Sequence, residues 1–224
     1  MAWSAGNSTG TLSSAHDGRI IETIFKYVTD QLRNFQGSSD ENEDNLTDEF
    51  CKKLGINKPS EYPFFFQHQN IEKKKGGYST DMAALGTKAI NNGEMLTKFE
   101  AKRLSSHLPN NRRREYVVGE YSQGNQIKNS GGIERFKNET HGVDIQIAGM
   151  IGYVQTYTFD HWQKHVNSCI QDEISTPHDE NLTWEELDKL QNQTNDGKVA
   201  TYKSESSRLT KSRLMFRHFW VNLQ

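Results

Sequence analysis

Asp81, Glu100 and Lys102 are the residues of this chain whose types and spacing could do chemistry. In "LTKFEAKRL" (96–104), an extended backbone turns Glu100 and Lys102 to one face and Phe99 and Ala101 to the other. Asp81 opens a neighbouring apolar segment, "TDMAALG". If the two segments pair as strands, Asp81 and Glu100 meet on the sheet. Two carboxylates a few ångström apart repel unless a cation lies between them, and hard oxygen donors suit Mg²⁺, with Mn²⁺ as a substitute. Such a metal polarises a phosphate oxygen and lowers the pKa of a bound water, and an amine beside it orients that water or offsets developing negative charge. The alternative is structural: Asp81 as a turn residue, and Glu100 with Lys102 as a same-face pair on a half-exposed strand, worth a few tenths of a kcal/mol.

The surrounding pattern supplies elements to position these groups. Ile20, Ile21, Ile24, Phe25, Val28 and Leu32 recur at helical spacing after Asp17, and residues 1–16, rich in Ser, Gly and Thr, are expected to be flexible. A second helix is expected in "NEDNLTDEFCKKLGI", with Leu46, Phe50 and Leu54 on one face and Gly55 as its C-cap. Strands follow at 64–72 and 79–85, joined by a basic Gly-Gly turn, and a third at "EMLTKFEAKRL". Residues 105–130 read as a long polar functional loop. Then come a short helix at "GGIERFKN", a buried strand in "VDIQIAGMIGYVQTY" with Gly149 and Gly152 permitting close approach, and an amphipathic helix at "FDHWQKHVNSCIQDEI". A capped helix from Thr183 and two strands, "VATYKSE" and "RLMFRHFWVNL", complete the chain. Helices on either side of a run of strands predict an α/β fold with a mixed central sheet covered on both faces, in one domain spanning 17–224.

In this order, Asp81 followed by Glu100-Ala101-Lys102 within an apolar strand resembles the PD-(D/E)xK nuclease superfamily, the restriction-endonuclease-like fold. "ENEDNLTDEF" resembles the helix that carries an acid ahead of the first core strand, which makes Glu43 that acid. Thr80 stands where the family has proline. The resemblance implies that Asp81, Glu100 and the carbonyl of Ala101 ligate one or two Mg²⁺ ions, that Lys102 helps activate water, and that Glu43 completes or tunes the site. It further implies a Mg²⁺-dependent DNA endonuclease, acting on double-stranded DNA in a bacterial restriction or anti-phage setting. A homodimer or a subunit of a larger defence complex is expected, since two cuts need two sites. The alternative is a catalytically inactive module of the same fold that binds nucleic acid or protein.

Charge agrees with a local, not a global, affinity for phosphate. The net charge is −2, but Lys73, Lys74 and Lys75 form one basic cluster, Arg103, Arg112, Arg113 and Arg114 flank the Glu100 strand, and Arg208, Lys211, Arg213 and Arg217 form a third cluster. The first two are the candidate DNA contacts. Gln155 is a candidate neighbour of the site or a capping residue, and Glu134, Arg135 and His141 are candidates for a DNA-facing lip or an ordinary helix terminus. His161 and His165 lack the third ligand of a zinc site, and Trp162, Trp184 and Trp220 suit packing better than base stacking. Cys51 and Cys169 have no metal spacing and are expected as packed, reduced thiols. No apolar run approaches the roughly 18 residues of a membrane span, so a cytoplasmic protein is expected.

Overall fold

A computed structural model describes residues 13–71, 79–88, 93–122 and 125–224, with side chains from Gly18 onward. The basic turn with Lys73, Lys74 and Lys75 lies outside the described residues, as does most of the N-terminal segment expected to be flexible. Residues 13–16 belong to the first helix.

Seven strands form one mixed sheet in the order β1-β2-β3-β6-β9-β8-β7. These are β1 (Phe64–Ile71), β2 (Ser79–Gly86), β3 (Met95–Leu104), β6 (Ile147–Val154), β7 (Gln191–Asn195), β8 (Val199–Ser207) and β9 (Arg213–Asn222). The β3–β6 and β6–β9 pairs are parallel and the other pairs antiparallel. Four helices among the described residues accompany them: α1 (Ser13–Arg33), α2 (Glu43–Ile56), α3 (Gly132–Lys137) and α4 (Phe159–Ser175). No helix among the described residues is long and apolar enough to cross a membrane.

Alternation along the central strands divides the core in two. Phe99 and Ala101 of β3, Ile151 and Tyr153 of β6, and Phe219 and Val221 of β9 pack with the apolar faces of α1 and α2. Leu104, Met150, Phe216 and Trp220 point the other way and pack with Ile133 and Phe136 of α3 and Phe159, Trp162 and Val166 of α4. Both faces are covered because parallel strands at the centre of a sheet have no side to give to water. The three tryptophans named above are buried in this second layer, and both cysteines are buried and free.

Three expectations need correction. Gly55 does not cap α2: the helix runs one residue further, and Asn57, in a right-handed helical conformation, donates its amide to Lys53 O. The segment 105–130 is not one loop, since it holds a 3₁₀ turn (Asn110–Arg112) and a hairpin of β4 (Glu120–Ser122) and β5 (Asn125–Lys128). Thr183 starts no α-helix; a 3₁₀ turn (Glu186–Asp188) forms instead, with the capping box moved to Glu185 and Asp188. Asp188 is held by Lys137 Nζ at 2.7 Å and by the Ser206 hydroxyl, and this buried pairing shortens the helix in favour of β7.

Gly152 shows why a central strand carries glycine. A Cβ there would lie 2.3 Å from Trp220 Cδ1, so the indole packs directly on the backbone. Gly152→Ala is therefore expected to lower stability by about 1–3 kcal/mol in urea or thermal unfolding, by displacing Trp220 from a close-packed layer.

Candidate active site

The site forms where the sheet comes apart. The β2–β3 ladder runs from Leu85–Met95 to Met82–Phe99 and stops, while β2 stays paired with β1 as far as Ser79–Ile71. Past Phe99, the outer edge of β3 therefore has backbone groups without a strand partner among the described residues, which must be satisfied otherwise. Asp81 Oδ2 accepts the Ala101 amide at 2.7 Å, and Glu43 Oε2 accepts the Arg103 amide at 3.0 Å. Two carboxylates thus stand in for the missing strand.

Local sequence delivers both. Glu43 is the first residue of α2, whose N-cap Asn42 accepts the Asn45 amide at 2.9 Å, and an acid there is also favoured by the helix dipole. Asp81 follows from strand alternation: Met82 and Phe99 both belong to the α1–α2 layer, so Asp81 and Glu100 turn to the opposite face. Gln69, on β1 beside Asp81, has φ of 50°, a conformation that costs a non-glycine residue on the order of 1 kcal/mol or more.

Lys102 ties the acids together. Its Nζ donates to Glu100 Oε1 at 2.9 Å, Glu43 Oε1 at 3.0 Å and the carbonyl of Ala101 at 2.7 Å. Glu100 also accepts from Arg135 Nη1 at 2.6 Å, and its Oε2 is buried without a hydrogen bond, 3.6 Å from His141 Nε2. Burial disfavours the charged amine of Lys102, but the carboxylates of Glu100, Glu43 and Asp81 outweigh it and raise the pKa above the usual lysine value. Burial likewise pushes the Glu100 carboxyl up, and Lys102, His141 and Arg135 more than reverse it, leaving it below the usual range. Asp81 goes the other way: burial, reinforced by the charge on Glu100, pushes its carboxyl up to about 8.

Glu43, Asp81, Lys102, Arg135 and His141 border a cleft of about 440 Å³ whose lining adds the bases Arg103, Arg112 and Lys128 and the acids Asp44 and Glu115. Arg103 has no acid partner among the described residues, and its Nε is buried without a hydrogen bond. Arg112 is paired with Glu115 at 2.8 Å. Arg113 and Arg114 turn away from the cleft. Arg113 donates to Leu108 O and Ser106 O, and Arg114 donates to Glu173 at 3.0 Å and lines a separate cavity with Tyr121 and His178. Lys128 was not singled out by the sequence, because an isolated lysine carries no signal until the β4–β5 hairpin brings it to the cleft. Gln155 is no site residue here; it donates to Glu41 O at 2.7 Å and fixes the approach to α2. His161 and His165 lie on α4 with aromatic and backbone partners, His165 at 3.1 Å from Arg113 O.

The donor set fits a hard divalent cation in chemistry: Glu100 Oε2 has no hydrogen bond, and the Asp81 carboxylate and the Ala101 carbonyl offer further oxygens at the same step of β3. Among the described residues no group of three or more His, Cys, Asp or Glu side chains is arranged to hold a metal, so any such site draws on two acids and a backbone oxygen. The chain matches no family model, and comparison with curated proteins and with solved structures returns no match.

The raised Asp81 pKa has a signed consequence. Between the unfolded value near 4 and about 8, the folded state holds more protons than the unfolded state, so this residue's contribution to stability falls as pH rises. Asp81→Asn, which can still accept the Ala101 amide, is expected to be more stable than the wild type at pH 8, with the difference shrinking toward pH 4. Urea titrations across that range measure it; a difference independent of pH contradicts it.

Proposed function

We propose that this protein is a divalent-metal-dependent phosphodiester hydrolase acting on DNA. The observation that carries the proposal is the convergence of Asp81, Glu100 and Glu43, from three different elements, on the backbone and amine of one Ala101–Lys102 step at the wall of a cleft that also carries Arg103, Arg112, Lys128 and Arg135. The resemblance to PD-(D/E)xK nucleases supports the same assignment. Asp81, Glu100 and the Ala101 carbonyl would hold Mg²⁺ or Mn²⁺. The ion would supply a polarised phosphate oxygen and an acidified water.

The chain's own groups have distinct tasks in this scheme. Lys102 holds a proton firmly, so it acts as a hydrogen-bond donor and positive charge, orienting the attacking water and stabilising charge as the phosphorus becomes five-coordinate. Glu43 keeps the amine in place by accepting from it and from the Arg103 amide together. Arg103, which lines the cleft without an acid partner among the described residues, is suited to a backbone phosphate. A restriction or anti-phage setting, with a paired or partnered subunit, belongs to the same proposal through the resemblance.

One observation favours a second reading, an inactive module that binds nucleic acid: Lys102 and Arg135 together already neutralise Glu100. Plasmid cleavage decides between them. The hydrolase reading expects nicking or cutting that requires Mg²⁺ or Mn²⁺ and falls by about 10²-fold or more in Lys102→Ala and Asp81→Asn, with circular dichroism unchanged. DNA left intact with each ion, by a protein that still binds it, selects the binding module.

In either case Arg103→Ala is expected to weaken binding to all DNA sequences alike and to reduce the slope of log K against log salt by about 1. Fluorescence anisotropy over a salt series reads both effects.

A further inference from the structure

Glu100 carries more cationic company than a metal ligand requires. Its Oε1 is shared by Lys102 Nζ at 2.9 Å and Arg135 Nη1 at 2.6 Å. Arg135 is aimed by its scaffold. Its Nε donates to Asn129 O at 2.9 Å, and the start of α3 is anchored by the amides of Gly132, Ile133 and Glu134 on the carbonyls of Glu115, Tyr116 and Val117. Gly132 lies close against β3 and β6: a Cβ there would be 2.6 Å from Met150 Cε and 3.5 Å from Lys102 Cγ, so α3 packs on the strands that carry the site. The guanidinium nonetheless keeps a way out. The side chain is 19% exposed along the cleft, and Nη2 has no protein partner among the described residues.

A divalent ion approaching Glu100 therefore meets the two cations already bound to its Oε1, and in a poorly solvated site such repulsion is large. Nucleic acid changes the balance, because a phosphodiester brings negative charge and accepts the planar guanidinium fork as readily as a carboxylate does. We propose that Arg135 is a charge gate: it holds Glu100 when the cleft is free and moves to a backbone phosphate when nucleic acid enters, so that divalent ion and nucleic acid bind cooperatively. The gate rests on the hydrolase reading of the site. By linkage the coupling is reciprocal, and the ion must tighten nucleic-acid binding by the same factor.

Calorimetric titration with Mn²⁺, with and without a DNA duplex of hydrolysis-resistant phosphorothioate linkages, tests this without any cleavage assay. The wild type is expected to bind Mn²⁺ about tenfold more tightly with the duplex, a coupling of the usual size. Without DNA, Arg135→Gln should bind Mn²⁺ about tenfold more tightly than wild type and gain little from the duplex, while Arg135→Lys, which keeps the charge, should stay near wild type. Equal Mn²⁺ affinity of the wild type with and without duplex overturns the gate alone, as does a glutamine variant no tighter than wild type. A lysine variant that behaves like glutamine also overturns it, since the role would then be structural. Absence of Mn²⁺ binding in all three proteins under both conditions removes the hydrolase reading and the gate with it. The wild-type comparison stands by itself if the glutamine variant does not fold.

Discussion

The unpaired edge of β3 beyond Phe99 is the constraint from which the rest of the site follows. A buried backbone amide without a partner costs on the order of 1–3 kcal/mol, so the amides of Ala101 and Arg103 require acceptors once β2 has diverged. Asp81 and Glu43 meet that need with charged oxygens. Having entered a crowded site, those carboxylates need a cation, and Lys102, nearly fully buried, supplies it to Glu43 directly and to Asp81 through the field. A local failure of strand pairing thereby becomes a cluster of opposed charges.

Such a cluster is a poor source of stability, because the desolvation of three carboxylates and an amine roughly cancels their attraction. Its persistence in a cleft, next to a glutamine in a left-handed conformation, fits a site kept for its chemistry. The opposed directions of the two carboxyl shifts have the same origin. Glu100 is surrounded by Lys102, Arg135 and His141, whereas Asp81 has an amide for a partner and Glu100 for a neighbour.

The segment 105–130 divides two environments. Arg112, Glu115 and Lys128 face the cleft beside Asp81 and Lys102, while Arg114 and Tyr121 face a larger cavity of about 830 Å³ whose rim carries Asp172, Asp179 and Glu180. Glu134, whose carboxylate accepts the Gly119 amide at 2.8 Å and the Tyr121 hydroxyl, ties the β4–β5 hairpin to α3, the helix that bears Arg135. Consecutive arginines in sequence thus serve different surfaces.

The sequence by itself determined the order of the elements from α1 to β3 and from α3 to α4, and the two-faced core, because apolar spacing of 3.6 and 2 residues records which side of a helix or strand is buried. It also singled out Asp81, Glu100 and Lys102, since charged residues inside apolar strands stand out against that pattern, whereas Glu43 was named through the resemblance of "ENEDNLTDEF" to a family helix. Only the tertiary structure decided how they meet: the end of the β2–β3 ladder, the amides left for Asp81 and Glu43, and the Arg135 contact with Glu100 across 35 positions of chain. The same holds for the short 3₁₀ turn where a helix was expected after Thr183, set by the buried Lys137–Asp188 pair, and for the separation of Arg112 from Arg114. Periodicity reports which face is dry, but strand register and the reach of long side chains depend on contacts between residues far apart in the chain, which no local pattern encodes.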